Sequence, residues 1–329
     1  MEQEPQISSE EHFRRSHRII KFLASGSNGS CHLTIARDDL DRIRTAYQCH
    51  GSRDKLCSNL RECLVVVKFY TPHSLDGFDL ENEVALLEMP VLRHKPQITS
   101  LINFFREDTC QWMTMEYVPG STLTALVKNC YQHIHLGLQW HIALQIANAL
   151  LLFHWGITDS EDMTPHSKHY PKLTYMDMHG GKFLLGFDVV LSDFGRSWEY
   201  DESRPHDPDT PGRFRACRRQ DYEKLGCMMQ KIFVTTKVGK VNSICKHCGC
   251  STCRACPDFN CKGCFRVASG PSVRPQLSVE ERQFLSWAKK LRRSVAETEE
   301  DLAALLKQFT DVARTQQRWD VPLIMPSEI

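Results

Sequence analysis

The apolar run Val189-Val190-Leu191 ends in Ser192-Asp193-Phe194-Gly195, and no other short stretch restricts the fold of this chain as much. A buried strand that stops at an acid, an aromatic and a glycine leaves a carboxylate just past its end. That is a good place from which to hold a metal ion on a polyphosphate. Three residues recur by chance, so the meaning of the tripeptide depends on what precedes it and in what order.

Three upstream features answer it. Leu23-Ala24-Ser25-Gly26-Ser27-Asn28-Gly29-Ser30-Cys31 is a small-residue loop that opens after the apolar stretch Ile19 to Leu23. Glycines let a backbone come close to phosphate and aim amides at it. Leu64-Val65-Val66-Val67-Lys68 is a β-branched strand ending in a lysine that can neutralise phosphates. Glu81-Asn82-Glu83-Val84-Ala85-Leu86-Leu87 has helical apolar spacing, and its phase favours Glu83 over Glu81 as the partner of Lys68. Further on, Tyr175-Met176-Asp177-Met178-His179-Gly180-Gly181-Lys182 places a second acid, Asp177, ahead of Asp193. Taken singly, each has an ordinary reading as a turn, a snorkelling lysine or a solvated acid.

Taken in order, they resemble the protein kinase family over most of residues 17–235. The resemblance implies an α+β, two-lobed protein kinase-like fold, with a small β-rich N-lobe and a larger helical C-lobe. It implies that ATP is held by Gly26, Ser27, Gly29 and Lys68, with Glu83 as the helix partner of that lysine. Met115, Glu116 and Tyr117 fall in the hinge that receives adenine, with Met115 in the gatekeeper place. Asp177 matches the catalytic base, Asp193 the magnesium ligand, and Asp221-Tyr222-Glu223 the start of a long C-lobe helix.

The departures bear on function. Ala24 stands at the first loop glycine, and Tyr175-Met176-Asp177 replaces His-Arg-Asp, so no arginine reads a phosphorylated activation segment. Tyr175 can fill the packing place of the histidine, and His179 can bear charge on a phosphate. Lys182 stands where a metal-binding asparagine is usual; an ammonium has no lone pair for a cation, which puts the second magnesium site in doubt. Lys182 itself, counted with the nucleotide-binding residues, offers a charge in place of that ion. Ala-Pro-Glu is absent, and the segment between Asp193 and Asp221 is short. Arg213, Arg215, Arg218 and Arg219 read as a basic patch, a solvated face unless a phosphorylated substrate passes it.

Cysteine spacing is the second strong signal. Of 15 cysteines, seven lie in one stretch: Cys245, Cys248, Cys250, Cys253, Cys256, Cys261 and Cys264. Cys-x-x-Cys pairs grip tetrahedral ions from a tight knuckle, and with His247 the set suits structural zinc. A disulfide scaffold is the alternative in an oxidising compartment.

The expected organisation follows. Residues 1–16 form a flexible leader and 17–118 the N-lobe, with an insertion at about 37–62. Residues 119–239 begin the C-lobe, 240–266 form the cysteine-rich insertion, and 267–329 are the helical remainder, with Ser278-Val279-Glu280-Glu281 as a capping box. Charge nearly cancels, with 41 basic against 40 acidic residues, so nothing suggests nucleic-acid or membrane-surface binding. The polar start Met1-Glu2-Gln3-Glu4-Pro5 is unlike a signal peptide, and the most apolar run, 142–152, is too short to span a bilayer. The chain therefore reads as cytoplasmic or nuclear. The expected activity is ATP-dependent transfer of a phosphoryl group to a hydroxyl, with protein serine or threonine as the default and a small hydroxyl-bearing molecule as the other acceptor. The alternative is a pseudokinase: a nucleotide-binding or zinc-stapled scaffold with a protein partner at the cysteine-rich insertion.

Overall fold

β-Branched residues fill Leu64-Val65-Val66-Val67, and this stretch becomes the central strand of a five-stranded antiparallel sheet. The computed structural model describes residues 8–26, 29–50, 52–71, 80–107, 110–129, 134–157, 170–186, 188–200, 210–238, 277–293 and 299–316. The fold is α+β. The first part of the chain runs α1 (Ser9–Arg14), β1 (His17–Gly26), β2 (Gly29–Ala36), α2 (Arg37–His50), α3 (Arg53–Cys63), β3 (Leu64–Tyr70), α4 (Leu80–Glu88), β4 (Leu101–Glu107) and β5 (Cys110–Glu116). Strand order is β1-β2-β3-β5-β4. Register sets Cys31 of β2 and Met113 of β5 on either side of Lys68.

Alternation along β3 divides its side chains between two faces. Val67 and Phe69 join Phe13, Cys110 and Trp112 in one apolar cluster, while Tyr70 and the flanking Val66 belong to the main core. Phe13 comes from α1 and is completely buried. Residues 9–14 are therefore a docked helix, where the sequence suggested a solvated leader: one aromatic side chain with an apolar site to fill is enough to fix a short polar segment. The insertion at 37–62 is a pair of helices, α2 and α3, which pack on each other.

The second part runs β6 (Ser121–Thr122), α5 (Leu123–Asn129), α6 (Leu136–Trp155), β7 (Lys172–Thr174), β8 (Phe183–Leu185), β9 (Val189–Leu191), β10 (Trp198–Tyr200), α7 (Thr210–Val238), α8 (Val279–Arg292) and α9 (Glu299–Gln316). Strands β6, β8 and β9 form one small antiparallel sheet, and β7 with β10 another. Helix α6 is apolar around most of its circumference and sits inside, with α7, α9, β7 and β9 against it. Each large side chain it buries contributes about 1.5–3 kcal/mol. At 20 residues it is long and apolar enough to cross a bilayer, longer than the 142–152 run suggested, and 78% of its most apolar window is buried in the fold.

Helix α7 begins well before 221, because Arg218 and Phe214 upstream are themselves core residues. Gly226 lets α7 and α8 touch: a Cβ there would lie 2.5 Å from the Ala288 carbonyl oxygen. Helix α8 starts on the expected capping box, with Ser278 Oγ accepting the Glu281 amide and Glu281 accepting the Ser278 amide. The cysteine-rich segment 240–266, with Cys245, Cys248, Cys250, Cys253, Cys256, Cys261, Cys264 and His247, lies outside the described residues.

Candidate functional site

Lys68 points away from Val67 and Phe69 and is almost fully buried. Its Nζ lies 2.6 Å from Glu83 Oε2 and 2.7 Å from Asp193 Oδ1. Burial acts to lower its pKa, but the charges of Glu83 and Asp193 outweigh burial and raise it above the ordinary lysine value. Lys68 is thus a fixed cation.

Glu83 faces inward because α4 buries the stripe Leu80, Val84 and Leu87 on which it lies. Its Oε2 also accepts the Tyr70 hydroxyl at 2.7 Å, and its Oε1 accepts the Phe194 amide at 3.0 Å. One carboxylate therefore ties α4 to β3 and to the segment after β9. Glu81, the other candidate, is exposed and pairs with Arg106 instead. Between them, Asn82 donates to the Ser197 carbonyl at 2.8 Å. Tyr70 follows Lys68 by two positions on the same strand face, a signal the sequence offered through period-two alternation.

Asp193 has φ +64°, a left-handed conformation unusual for a residue other than glycine. Burial pushes its pKa up, but Lys68 and Lys182 pull it down to about 2, so it is a carboxylate at any ordinary pH. Its Oδ2 is contacted by the Lys182 ammonium. Lys182 Nζ also lies 3.3 Å from Asp177 Oδ2. The two acids picked out from sequence are therefore brought to one place and joined by the lysine between them.

Asp177 follows a strained turn. Its amide bonds the Tyr175 carbonyl at 2.8 Å across Met176, whose φ is +64°. Such a conformation costs about 1–3 kcal/mol and persists where neighbours over-determine it. Asp221 of α7 supplies that restraint. Its Oδ2 accepts the Tyr175 amide at 2.9 Å, Thr174 Oγ1 at 3.1 Å and His154 Nε2 at 3.0 Å, and its Oδ1 accepts the Met176 amide at 3.1 Å. Tyr175 is fully buried against Phe153 and Phe194, and its hydroxyl donates to the Ser192 and Asp193 carbonyls. Tyr175 thereby links the turn before Asp177 to the strand end before Asp193.

Partial desolvation and the nearby Lys182 ammonium lower the pKa of His179, and its Nδ1 accepts the Gly181 amide at 3.1 Å. That disfavours the charged imidazole that the sequence suggested for phosphate binding. Gly26 and Gly29 pair across the end of the β1–β2 hairpin, with Ser27 outside the described residues. A Cβ on Gly26 would meet nothing within 4 Å, whereas one on Gly29 would collide with the Phe69 carbonyl. Gly29 is thus demanded by the approach of β3, and Gly26 is the glycine with open space.

Met115 and Glu116 end β5, Met115 buried and Glu116 with its amide on the Ser100 carbonyl at 3.0 Å; Tyr117 follows the strand. The basic patch is not one surface. Arg218 is buried, donating to the Leu173 carbonyl at 2.9 Å and stacked on Trp155 and Phe214. Arg219 pairs with Glu223 at 3.3 Å. Cys31, not singled out from sequence, sits beside Lys68, and burial pushes its thiol up to about 11.

The chain matches no family model and no curated protein. Among the described residues, no three His, Cys, Asp or Glu side chains converge tightly enough to hold a metal ion by themselves. Asp193 is a partly exposed carboxylate, an oxygen donor of the kind a hard cation takes, and would need ligands from elsewhere to hold one. Lys182 adds a charge and no lone pair.

Proposed function

We propose that this chain is an ATP-dependent phosphotransferase with a two-lobed, protein kinase-like fold, which transfers the γ-phosphoryl group to a hydroxyl, by default of a protein serine or threonine. The observation that carries this reading is the position of Lys68, gripped at once by Glu83 from α4 and by Asp193 from the end of β9. Two carboxylates from distant parts of the chain converge on one buried cation. A buried ion pair of this kind adds little net stability over an apolar core.

In this reading Lys68 binds the α- and β-phosphates and Gly26 leaves room for them at the hairpin end. Met115, Glu116 and Tyr117 border the adenine. Asp193 holds one magnesium ion, whose charge when bound offsets that of the phosphates. Asp177 orients the acceptor hydroxyl and accepts its proton, and the Asp221 restraint keeps that carboxylate in place. Positioning and charge neutralisation are most of what phosphoryl transfer requires of a protein.

The second reading, a nucleotide-binding pseudokinase, is favoured by one observation: both Asp193 oxygens already contact an ammonium group. Thermal stability with ATP, with and without magnesium, tests for the shared nucleotide site. Saturation at about a hundred times the dissociation constant adds about 2.7 kcal/mol, a shift of a few degrees, which Lys68→Ala and Asp193→Asn abolish. Turnover lost in Asp177→Ala then favours the transferase, and binding without turnover favours the pseudokinase. For residues 240–266 we propose a structural zinc site that can also carry a protein partner; reduced, purified protein is expected to contain zinc by elemental analysis.

A further inference from the structure

The fold fixes Lys182 independently of its charge. Its amide donates to the His179 carbonyl at 3.0 Å, and its own carbonyl accepts both the amide and the hydroxyl of Ser192, each at 2.9 Å. Ser192 immediately precedes Asp193, so a backbone clasp sets the spacing of lysine and acid. The Lys182 side chain is only 17% exposed, and its ammonium bridges Asp193 Oδ2 and Asp177 Oδ2.

Two carboxylates that converge need a cation between them, or one must take up a proton. Here the cation is covalently part of the chain. Glu83, Asp177 and Asp193 face Lys68 and Lys182, so the cluster carries less excess negative charge than it would with an uncharged residue at 182. Less excess negative charge means less electrostatic pull on a further divalent ion. The ammonium can turn its three donors to carboxylate or phosphate oxygens, but it cannot ligate a metal.

We infer that Lys182 is a tethered cation standing in for a divalent ion between Asp177 and Asp193, so that this chain takes a nucleoside triphosphate with one divalent ion rather than two. The inference rests on the kinase-like reading of the site.

The test is the number of Mn²⁺ ions bound per chain in the presence of a non-hydrolysable ATP analogue, less the number bound without it, read from the electron paramagnetic resonance of free Mn²⁺. The full chain is compared with Lys182→Asn and Lys182→Met. One nucleotide-dependent ion is expected for the natural chain and for Lys182→Met, and two for Lys182→Asn, which restores an oxygen ligand. Two ions on the natural chain overturn the inference and leave the nucleotide site standing. So does a single ion on a folded Lys182→Asn chain. Should Lys182→Asn fail to fold, the count on the natural chain decides. Absence of analogue binding in all three overturns this inference and the kinase-like reading together.

Discussion

The Glu83 carboxylate accepts the Phe194 amide at 3.0 Å, so the acid that holds Lys68 also holds the segment that carries Asp193. Helix α4 cannot shift without disturbing both. Glu83→Ala removes one of the two carboxylates on the Lys68 ammonium together with the carboxylate that accepts the Tyr70 hydroxyl and the Phe194 amide, and breaking a buried pair from one side costs about 3–5 kcal/mol. Glu81→Ala, at an exposed pair, is expected to change stability by less than about 1 kcal/mol. Urea denaturation of the two variants side by side checks the contrast.

Asp221 is expected to be as sensitive, although it lies far from Lys68 in the chain. Asp221→Ala strands the Tyr175 and Met176 amides in a strained turn, each unsatisfied buried donor costing about 1–3 kcal/mol. Hydrogen exchange should show lost protection at Tyr175 and Met176. On the kinase-like reading, phosphotransfer falls further than nucleotide affinity, because the turn positions Asp177.

Acid should erode the contribution of Asp193 in a defined window. Its pKa in the folded state is about 2 and its ordinary value 3.8, so its stabilising effect is fully present above about pH 4 and disappears as pH falls through 2. The side chain is 35% exposed, which leaves about 1 kcal/mol after screening. The stability difference between the natural chain and Asp193→Asn is therefore expected to shrink between pH 5 and pH 2. A difference that stays constant over that range would contradict the assignment.

Met176 occupies the place of an arginine in the kinase pattern, is 39% exposed and offers no charge to a phosphate. On the kinase-like reading, activity is expected to be indifferent to phosphorylation between Asp193 and Asp221. Rates before and after phosphatase treatment should agree; a large change would mean that another cation reads the modification.

Several of these relationships were legible in the sequence. Lys68 and Glu83 were readable because a strand and a helix have fixed periods, and the phase of Leu80, Val84 and Leu87 decides between two nearby glutamates. Asp177 and Asp193 were readable from order alone. Lys182 stood out as a departure, but its bridge depends on the Ser192 clasp, which no local pattern encodes. The restraint from Asp221 was not readable, since a side chain that bonds distant backbone amides leaves no periodic trace. Arg218 was misread as surface because a guanidinium can be buried when carbonyls and aromatic faces receive it, and α1 because a single Phe13 anchors an otherwise polar stretch.

Strand β3 is one residue thick between Phe13 on one side and Lys68 on the other. The N-terminal helix is therefore a buttress behind the lysine. Anything that loosens α1, from a truncation to a bulky fusion ahead of Ser9, relaxes the strand from the rear and reaches the charged cluster without touching it. Preparations of this chain that differ only in how they begin would then differ in how firmly Lys68 is held between Glu83 and Asp193.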